Sequence, residues 1–171
     1  MAVTRLITLE DAAALAKVLA ENRDFLAPWD PLRDDDFFTA ETQHRLIGEA
    51  LKSFEAGLMV PLAITAPDGG LVGRINIGGI VRGALESGGI GYWVSRKHNG
   101  HGLASRAVAE VKDIAFKELG LHRLQAETLL HNASSQRVLT RNGFERYGLA
   151  PKYLKIAGRW QDHVMFQVLS D

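Results

Sequence analysis

The run from Gly100 to Leu119 constrains this chain most. Ala104, Ala107, Val108, Val111, Ile114 and Ala115 fall on one helical stripe, and Gly120 closes the run. A helix with one apolar stripe has to bury it against another layer. Both flanks supply candidates, because Gly88 to Val94 and Leu121 to Leu129 read as strands. Other segments fit around this unit. Ala12 to Asn22 carries Leu15, Val18 and Leu19 at helical spacing. It follows Thr8-Leu-Glu-Asp11, a capping box with Asp in the acceptor slot. Pro28-Trp29-Asp30-Pro31 breaks that helix into a loop, and Thr39 to Ala56 predicts a second helix ended by Gly57. Leu58 to Thr65 and Leu71 to Ile80 predict an antiparallel hairpin around Pro67-Asp68-Gly69-Gly70. Asn132 caps a short helix that stops at Asn142-Gly143. Arg146 to Ile156 and Trp160 to Leu169 predict a final hairpin turning at Ala157-Gly158. The order α, α, β, β, β, α, β, α, β, β predicts an α+β, or mixed α/β, fold with one sheet.

Composition narrows the function classes. The 171 residues fit a single domain spanning 1–171. Hydrophobic residues at 46% and charged residues at 23% exclude disorder, collagen and coiled coil. Lys+Arg 20 balances Asp+Glu 20, so no excess charge points to a nucleic-acid or membrane partner. No apolar run approaches the roughly 20 residues that span a bilayer. The start MAVTRLITLED has no apolar core and no small-residue cleavage site. No signal peptide is therefore expected, and a cytoplasmic location is. The absence of cysteine excludes disulfides, thiolate metal sites and a cysteine nucleophile.

Lys97-His98-Asn99-Gly100-His101-Gly102-Leu103-Ala104 joins a strand to the long helix. Two glycines two apart allow a tight turn whose successive N–H groups can face one anion, aided by the helix N-terminus. An ordinary glycine-rich turn is the alternative. No Gly-Lys-Ser/Thr follows, and Ser105 stands where a dinucleotide fingerprint needs a third glycine. His98-x-x-His101 lacks a third ligand nearby, so no metal is expected. Asn132-Ala-Ser-Ser135 and Asn142-Gly143-Phe144 read singly as a cap and a helix stop.

Together these segments are more specific. A strand ending Gly-Tyr-Trp-Val, then Gly-x-Gly-x-Ala, a helix, a strand, Asn-x-x-Ser and Asn-Gly-Phe resembles the GNAT superfamily of acyl-CoA N-acyltransferases. Within it the chain resembles the RimJ/RimL group of protein N-terminal acetyltransferases. Leu26-Ala-Pro-Trp29 and Gly158-Arg-Trp160-Gln-Asp162-His163 extend the likeness over nearly the whole chain. The resemblance implies a central, mostly antiparallel sheet with a splayed strand pair, flanked by about four helices. It implies acetyl-CoA as cosubstrate, its pantetheine arm lying in the splay like an extra strand. Tyr92, Trp93 and Val94 would offer backbone groups to the arm and the thioester. His98, Asn99, Gly100, His101, Gly102, Leu103 and Ala104 would hold the pyrophosphate. Asn132 and Ser135 would face the pantetheine and the thiol, and Arg137 would help with phosphate or adenine. Lys97 stands where the superfamily usually has Gln or Arg, which keeps a cation.

The implied reaction is direct attack of a neutral amine on the thioester carbonyl, with a backbone N–H near Trp93 or Val94 for the oxyanion. The tyrosine that many members use as the acid is replaced by Leu139, so Ser135 is the expected acid. Gly88-Gly89 and Leu154 occupy two slots where relatives carry a glutamate. Glu127, five residues before Asn132, is then the expected base, with an outward-facing surface glutamate as its alternative. Glu86, on a loop, ranks behind it. Trp29, Trp160 and His163 are expected on the acceptor side, although Trp29 could instead plug its own loop and His163 could pair within its hairpin. A peptide α-amine with a pKa of ~8 is roughly 10% neutral at pH 7, against about 0.04% for a lysine. A weak base therefore suits an α-amine. The expected function is an acetyl-CoA-dependent N-acetyltransferase acting on the N-terminal α-amine of a protein, of the ribosomal-protein type. The same chemistry on an antibiotic, amino acid or polyamine is the alternative, as is a non-catalytic acyl-CoA-binding module. Relatives in this family often pair, which leaves a homodimer open.

Overall fold

The computed structural model describes residues 2–170. In chain order the elements are β1 (Thr4–Leu6), α1 (Ala12–Glu21), α2 (Arg23–Leu26), α3 (Ala40–Glu55), β2 (Val60–Thr65), β3 (Leu71–Val81) and β4 (Ser87–Val94). There follow α4 (Leu103–Asp113), which runs on as a π-helical turn (Ile114–Glu118), β5 (Arg123–Leu129), α5 (Ala133–Arg141), β6 (Glu145–Ile156) and β7 (Arg159–Leu169). The strands form one seven-stranded sheet in the order β1-β2-β3-β4-β5-β7-β6. Every neighbouring pair is antiparallel except β4 and β5, which are parallel. This is the expected α+β fold.

Local chemistry sets the boundaries. Thr8 and Asp11 form the capping box before α1, and the Thr39 side chain accepts from the Thr42 N–H to start α3. Gly102, at φ 78°, caps α4, so the central helix starts three residues later than its glycines suggest. Gly120 at φ 66° ends it. Ala157 and Gly158 both have positive φ, as a two-residue hairpin turn between right-twisted strands requires.

Two elements exceed the sequence reading. One is β1, a three-residue strand paired to β2 and pinned by Glu110, which accepts from the Val3 and Thr4 N–H groups at 2.8 Å each. The other is the single turn α2.

The sheet buries apolar residues on both faces. On one face Ile75, Ile77, Ile90 and Leu124 pack against Val108 and Val111 of α4 and Leu139 of α5. On the other, Ala63 and Leu71 pack with Leu15 and Leu19 of α1 and Ile47 of α3. The second layer reaches β4 only through Trp93, and the stretch of sheet beyond it holds the candidate site.

Candidate active site

The site begins with a break in pairing. β4 and β5 pair at Ser87–Arg123, Gly88–Leu124 and Gly89–Gln125, and no further. β4 stays with β3 to Val94, and the Ser95 N–H then donates to the Val72 carbonyl at 2.8 Å. β5 stays with β7 to Leu129. The facing edges of residues 90–94 and 126–129 therefore part. Backbone donors and acceptors at such a wedge need partners. An extended, amide-bearing chain can supply them as an added strand would.

Two cavities open on this wedge. The larger, about 640 Å³, is floored by Gly78, Gly89 and Gly91. Leu19 and Leu26 wall it on one side, and Leu154, Ile156 and His163 of the last hairpin on the other. The smaller, about 400 Å³, lies between the end of β4 and the starts of α4 and α5, where Val94, Asn99, Ala104 and Val138 line it. Both touch Leu26, Trp29, Tyr92, Trp93, Asn132 and Ser135. Those six residues mark the junction.

At the junction the Tyr92 and Ser135 hydroxyls share a hydrogen bond of 2.7 Å. The Tyr92 hydroxyl also lies 3.3 Å from the Ser135 carbonyl. Asn132 Oδ1 accepts from the Ser135 N–H at 3.2 Å, which is the N-cap role, so its side chain can offer a ligand the amide nitrogen. Gln136 Nε2 reaches Thr128 Oγ1 at 3.2 Å and the Leu130 carbonyl at 3.1 Å, tying the first turn of α5 to the end of β5. Burial pushes the Tyr92 hydroxyl up to about 12, with the Ser135 hydrogen bond pulling the other way. Tyr92 is thus a proton-bearing donor at neutral pH. The sequence suggested its backbone as the useful part; the structure adds its side chain.

Glu127 faces the larger cavity from β5, not bulk solvent. Burial raises its carboxyl above the ordinary value, and the His163 imidazole partly offsets this. His163 is 3% exposed, and its Nδ1 lies 2.9 Å from the Gln161 carbonyl. A carbonyl can only accept, so that contact puts a proton on Nδ1 and leaves Nε2 as the ring nitrogen free to face the cavity. Tyr153 meets His163 edge-on at 5.6 Å, and the Glu127 charge, with burial, raises its hydroxyl. Across the cavity stand Arg74 and Asn76 of β3, where Arg74 Nη2 donates to Asn76 Oδ1 at 3.1 Å. Neither was picked out from the sequence. The available signal was a cation and an amide alternating with Ile75 and Ile77 in a glycine-rich strand.

The other expected residues are dispersed. Gly100 and Gly102 both have φ 78°, the left-handed turn a glycine pair permits. The first-turn N–H groups of α4 have no acceptor within the helix. Asn99 and Ala104 line the smaller cavity; His98, Gly100, His101, Gly102 and Leu103 adjoin them in the chain. His98 Nδ1 contacts Ser95 Oγ at 2.9 Å, and Leu103 packs its side chain into the core. Arg137 Nη2 lies 3.3 Å from Ser134 Oγ on the exposed side of α5. Trp29 lines both cavities, with its ring 5.2 Å from that of His131. Trp160 is 61% exposed and lies in a separate depression with Leu130 and Asp162. Leu139 is fully buried. Glu86 pairs with Arg82 at 3.0 Å and is not a wall of either cavity.

Comparison with known proteins gives this geometry a family. The sequence model of the family described as Acetyltransferase (GNAT) domain matches residues 3–145. The chain is 38% identical to the probable N-acetyltransferase YjcK of Bacillus subtilis (strain 168), over 97% of this chain and 92% of that one. It is 34% identical to the ribosomal protein uS5-alanine N-acetyltransferase of Escherichia coli (strain K12), over 95% of this chain and 84% of that one. A structure of Mycobacterium smegmatis RimJ in complex with CoA-disulfide superimposes with a TM-score of 0.94 at 32% identity, covering 98% of this chain and 81% of that one. With a strand wedge, a glycine turn into the central helix and likeness along nearly its whole length, the chain belongs to the GNAT acetyltransferase family, where its neighbours are N-acetyltransferases of the RimJ/RimL type.

Proposed function

We propose that this protein transfers an acetyl group from acetyl-CoA to the N-terminal α-amine of a protein, of the ribosomal-protein type. The observation that carries the reading is the junction. One cavity enters from the glycine turn and the other from the open face of the sheet. They meet beside the parted strands at Tyr92 and Ser135. Support comes from the relatives, one an acetyltransferase for ribosomal protein uS5 and one solved with a CoA disulfide.

In this reading the pantetheine arm pairs with the inner edge of β4 through the smaller cavity. The pyrophosphate sits on the N–H groups of the turn from His98 to Ala104, with Arg137 nearby. Asn132 contacts the arm through its amide nitrogen. A backbone N–H of Trp93 or Val94 receives the oxyanion. The acceptor enters the larger cavity past Trp29 and His163. Trp160, outside that cavity, would meet only the chain following the amine. Glu127 takes one proton from the ammonium, its raised carboxyl being better matched to that task than an ordinary one. The amine nitrogen bonds to the carbonyl carbon, the C–S bond breaks, and the second proton shed by the nitrogen ends on the sulfur to give the free thiol, while Ser135 with Tyr92 donates a hydrogen bond to the charge forming there.

Thiol release from acetyl-CoA, followed with three acceptor sets, tests this. The sets are peptides with a free α-amine, the same peptides blocked at that amine but carrying a lysine, and small amines. Fastest release is expected from the first set. Faster release from lysine peptides, or release from small amines alone, would overturn the α-amine reading.

A further inference from the structure

Arg74 is a half-buried cation in a place where one has no evident reason to be. It lies on β3 between Ala63 and Trp93, on the face it shares with Asn76 and Gly78, while Ile75 and Ile77 on the other face are fully buried in the core. Its side chain lines the larger cavity, and its Nε is buried without a hydrogen-bond partner. Its neighbour Asn76 is neutral and cannot offset the charge. Among the described residues no carboxylate pairs with it. Of the two carboxylates lining the cavity, Asp30 is paired to Arg33 at 2.9 Å and Glu127 lies within the electrostatic reach of His163. Burial alone accounts for the lowering of the Arg74 pKa. A desolvated guanidinium without an anion is costly. Its planar fork matches a carboxylate with two parallel N–H···O bonds.

We propose that Arg74 anchors a carboxylate carried by the acceptor, so that the preferred substrate is an amine with an acidic group close to the reacting nitrogen. The proposal rests on the larger cavity being the acceptor's. Placement supports it. Arg74 is on β3 and Glu127 on β5, with the glycine floor of β4 between them. Strands spaced ~4.8 Å apart would put those backbones about 10 Å from one another, and the parting of β4 from β5 beyond Gly89 and Gln125 widens that gap. One acceptor can therefore span from an anion at Arg74 to an amine at the wedge. The guanidinium also repels an ammonium, which directs the amine toward Glu127. The open floor gives the room, since a Cβ at Gly78 or Gly91 would have no atom within 4 Å.

The carboxylate can come from an acidic side chain near a peptide's N-terminus or from the α-carboxylate of a free amino acid. The test compares Ala-Glu and Ala-Gln peptide amides, and alanine with alaninamide, by thiol release and by calorimetric binding. The wild type should prefer the acidic member of one pair by on the order of tenfold to a hundredfold, the range of hydrogen bonds to a charged group. Arg74→Gln should abolish the preference and Arg74→Lys should keep part of it, both with unchanged acetyl-CoA affinity. The pair that shows the dependence names the source. Turnover that ignores the carboxylate, or a preference that survives Arg74→Gln, overturns the anchor and leaves the transferase reading standing. Arg74-dependent binding with no thiol release from any acceptor upholds the anchor and overturns the transferase reading.

Discussion

Tyr92 and Ser135 come from elements 43 positions apart and meet at 2.7 Å. An ordinary thiol titrates near ~8.5, whereas Tyr92 is held at about 12. Complete transfer of its proton to a thiolate therefore runs uphill, and the pair serves better as a hydrogen-bond donor to the forming charge. Tyr92→Phe and Ser135→Ala should each lower kcat by roughly 10- to 100-fold, as loss of one bond to a charged group does. The double variant should be little worse than either single one, because the hydroxyls act as one unit. Steady-state rates with acetyl-CoA affinity measured alongside check this. Glu127 gives a pH prediction. Its folded-state pKa lies above the ordinary value, so the folded protein holds the proton more tightly than the unfolded chain does. The ionised carboxylate then weakens folding as pH rises through the folded value, and does not below the unfolded one. Glu127→Gln should melt higher than wild type at neutral pH and equally at strongly acid pH. It should also lose the acid limb of the kcat/KM profile. The spacing of Glu127 from Asn132 was readable in the sequence. The partnership of Tyr92 with Ser135 was not, because it depends on where α5 docks.

The elements are held by chemistry that period and turn residues reveal, with two exceptions. β1 has three residues and no room for a period, so its existence shows only through its pairing with β2. The wedge is an absence of pairing, and no residue type announces an absence; family resemblance is what predicted it. The glycines around it have separable duties. A Cβ at Gly73 would run into the Trp93 carbonyl, whereas one at Gly91 would enter open cavity. Gly73→Ala should destabilise the protein by forcing β3 from β4. Gly91→Val should leave the melting temperature within a few degrees while raising the acceptor KM about tenfold or more, on the order of a lost binding contact. Thermal melts and peptide titrations separate these outcomes. At the start of α1, Asp11 accepts from Arg5 Nη2 at 2.7 Å and from the Thr8 N–H at 2.9 Å. The Arg5 hydrogen bond, with Thr8 and against burial, holds its carboxyl below the ordinary value. Asp11→Ala should cost about 1–2 kcal/mol at pH 7. The difference should shrink as pH falls through the depressed value, where wild type loses the charge too; urea titrations at pH 7 and pH 3 would show it.

On the scale of the molecule, the sheet carries one apolar layer across its α4–α5 face and a second confined to the α1–α3 end. The uncovered remainder of the second face becomes the larger cavity. Its walls come from α1 and α2 at one end of the chain and from the β6–β7 hairpin at the other. The smaller cavity, by contrast, takes most of its lining from one stretch between β4 and α5, with Phe25, Leu26 and Trp29 closing it. That difference explains what the sequence revealed. Most residues of the smaller cavity sit at fixed spacings along the chain, so Asn99, Ala104, Asn132 and Ser135 are legible there. Residues of the larger cavity meet through the tertiary fold, so no spacing along the chain marks Arg74 and Asn76 as its lining, or shows that Trp160 lies in a separate depression. Among the described residues no helix is long and apolar enough to cross a membrane. The whole reading turns on the junction of the two cavities, and a crystal structure with acetyl-CoA tests that most directly. The acetyl carbonyl should lie within hydrogen-bond reach of the Trp93 or Val94 N–H, with the sulfur beside Ser135 and the pyrophosphate on the turn from His98 to Ala104. A thioester lodged away from the gap between β4 and β5, or a diphosphate held elsewhere, would contradict the account.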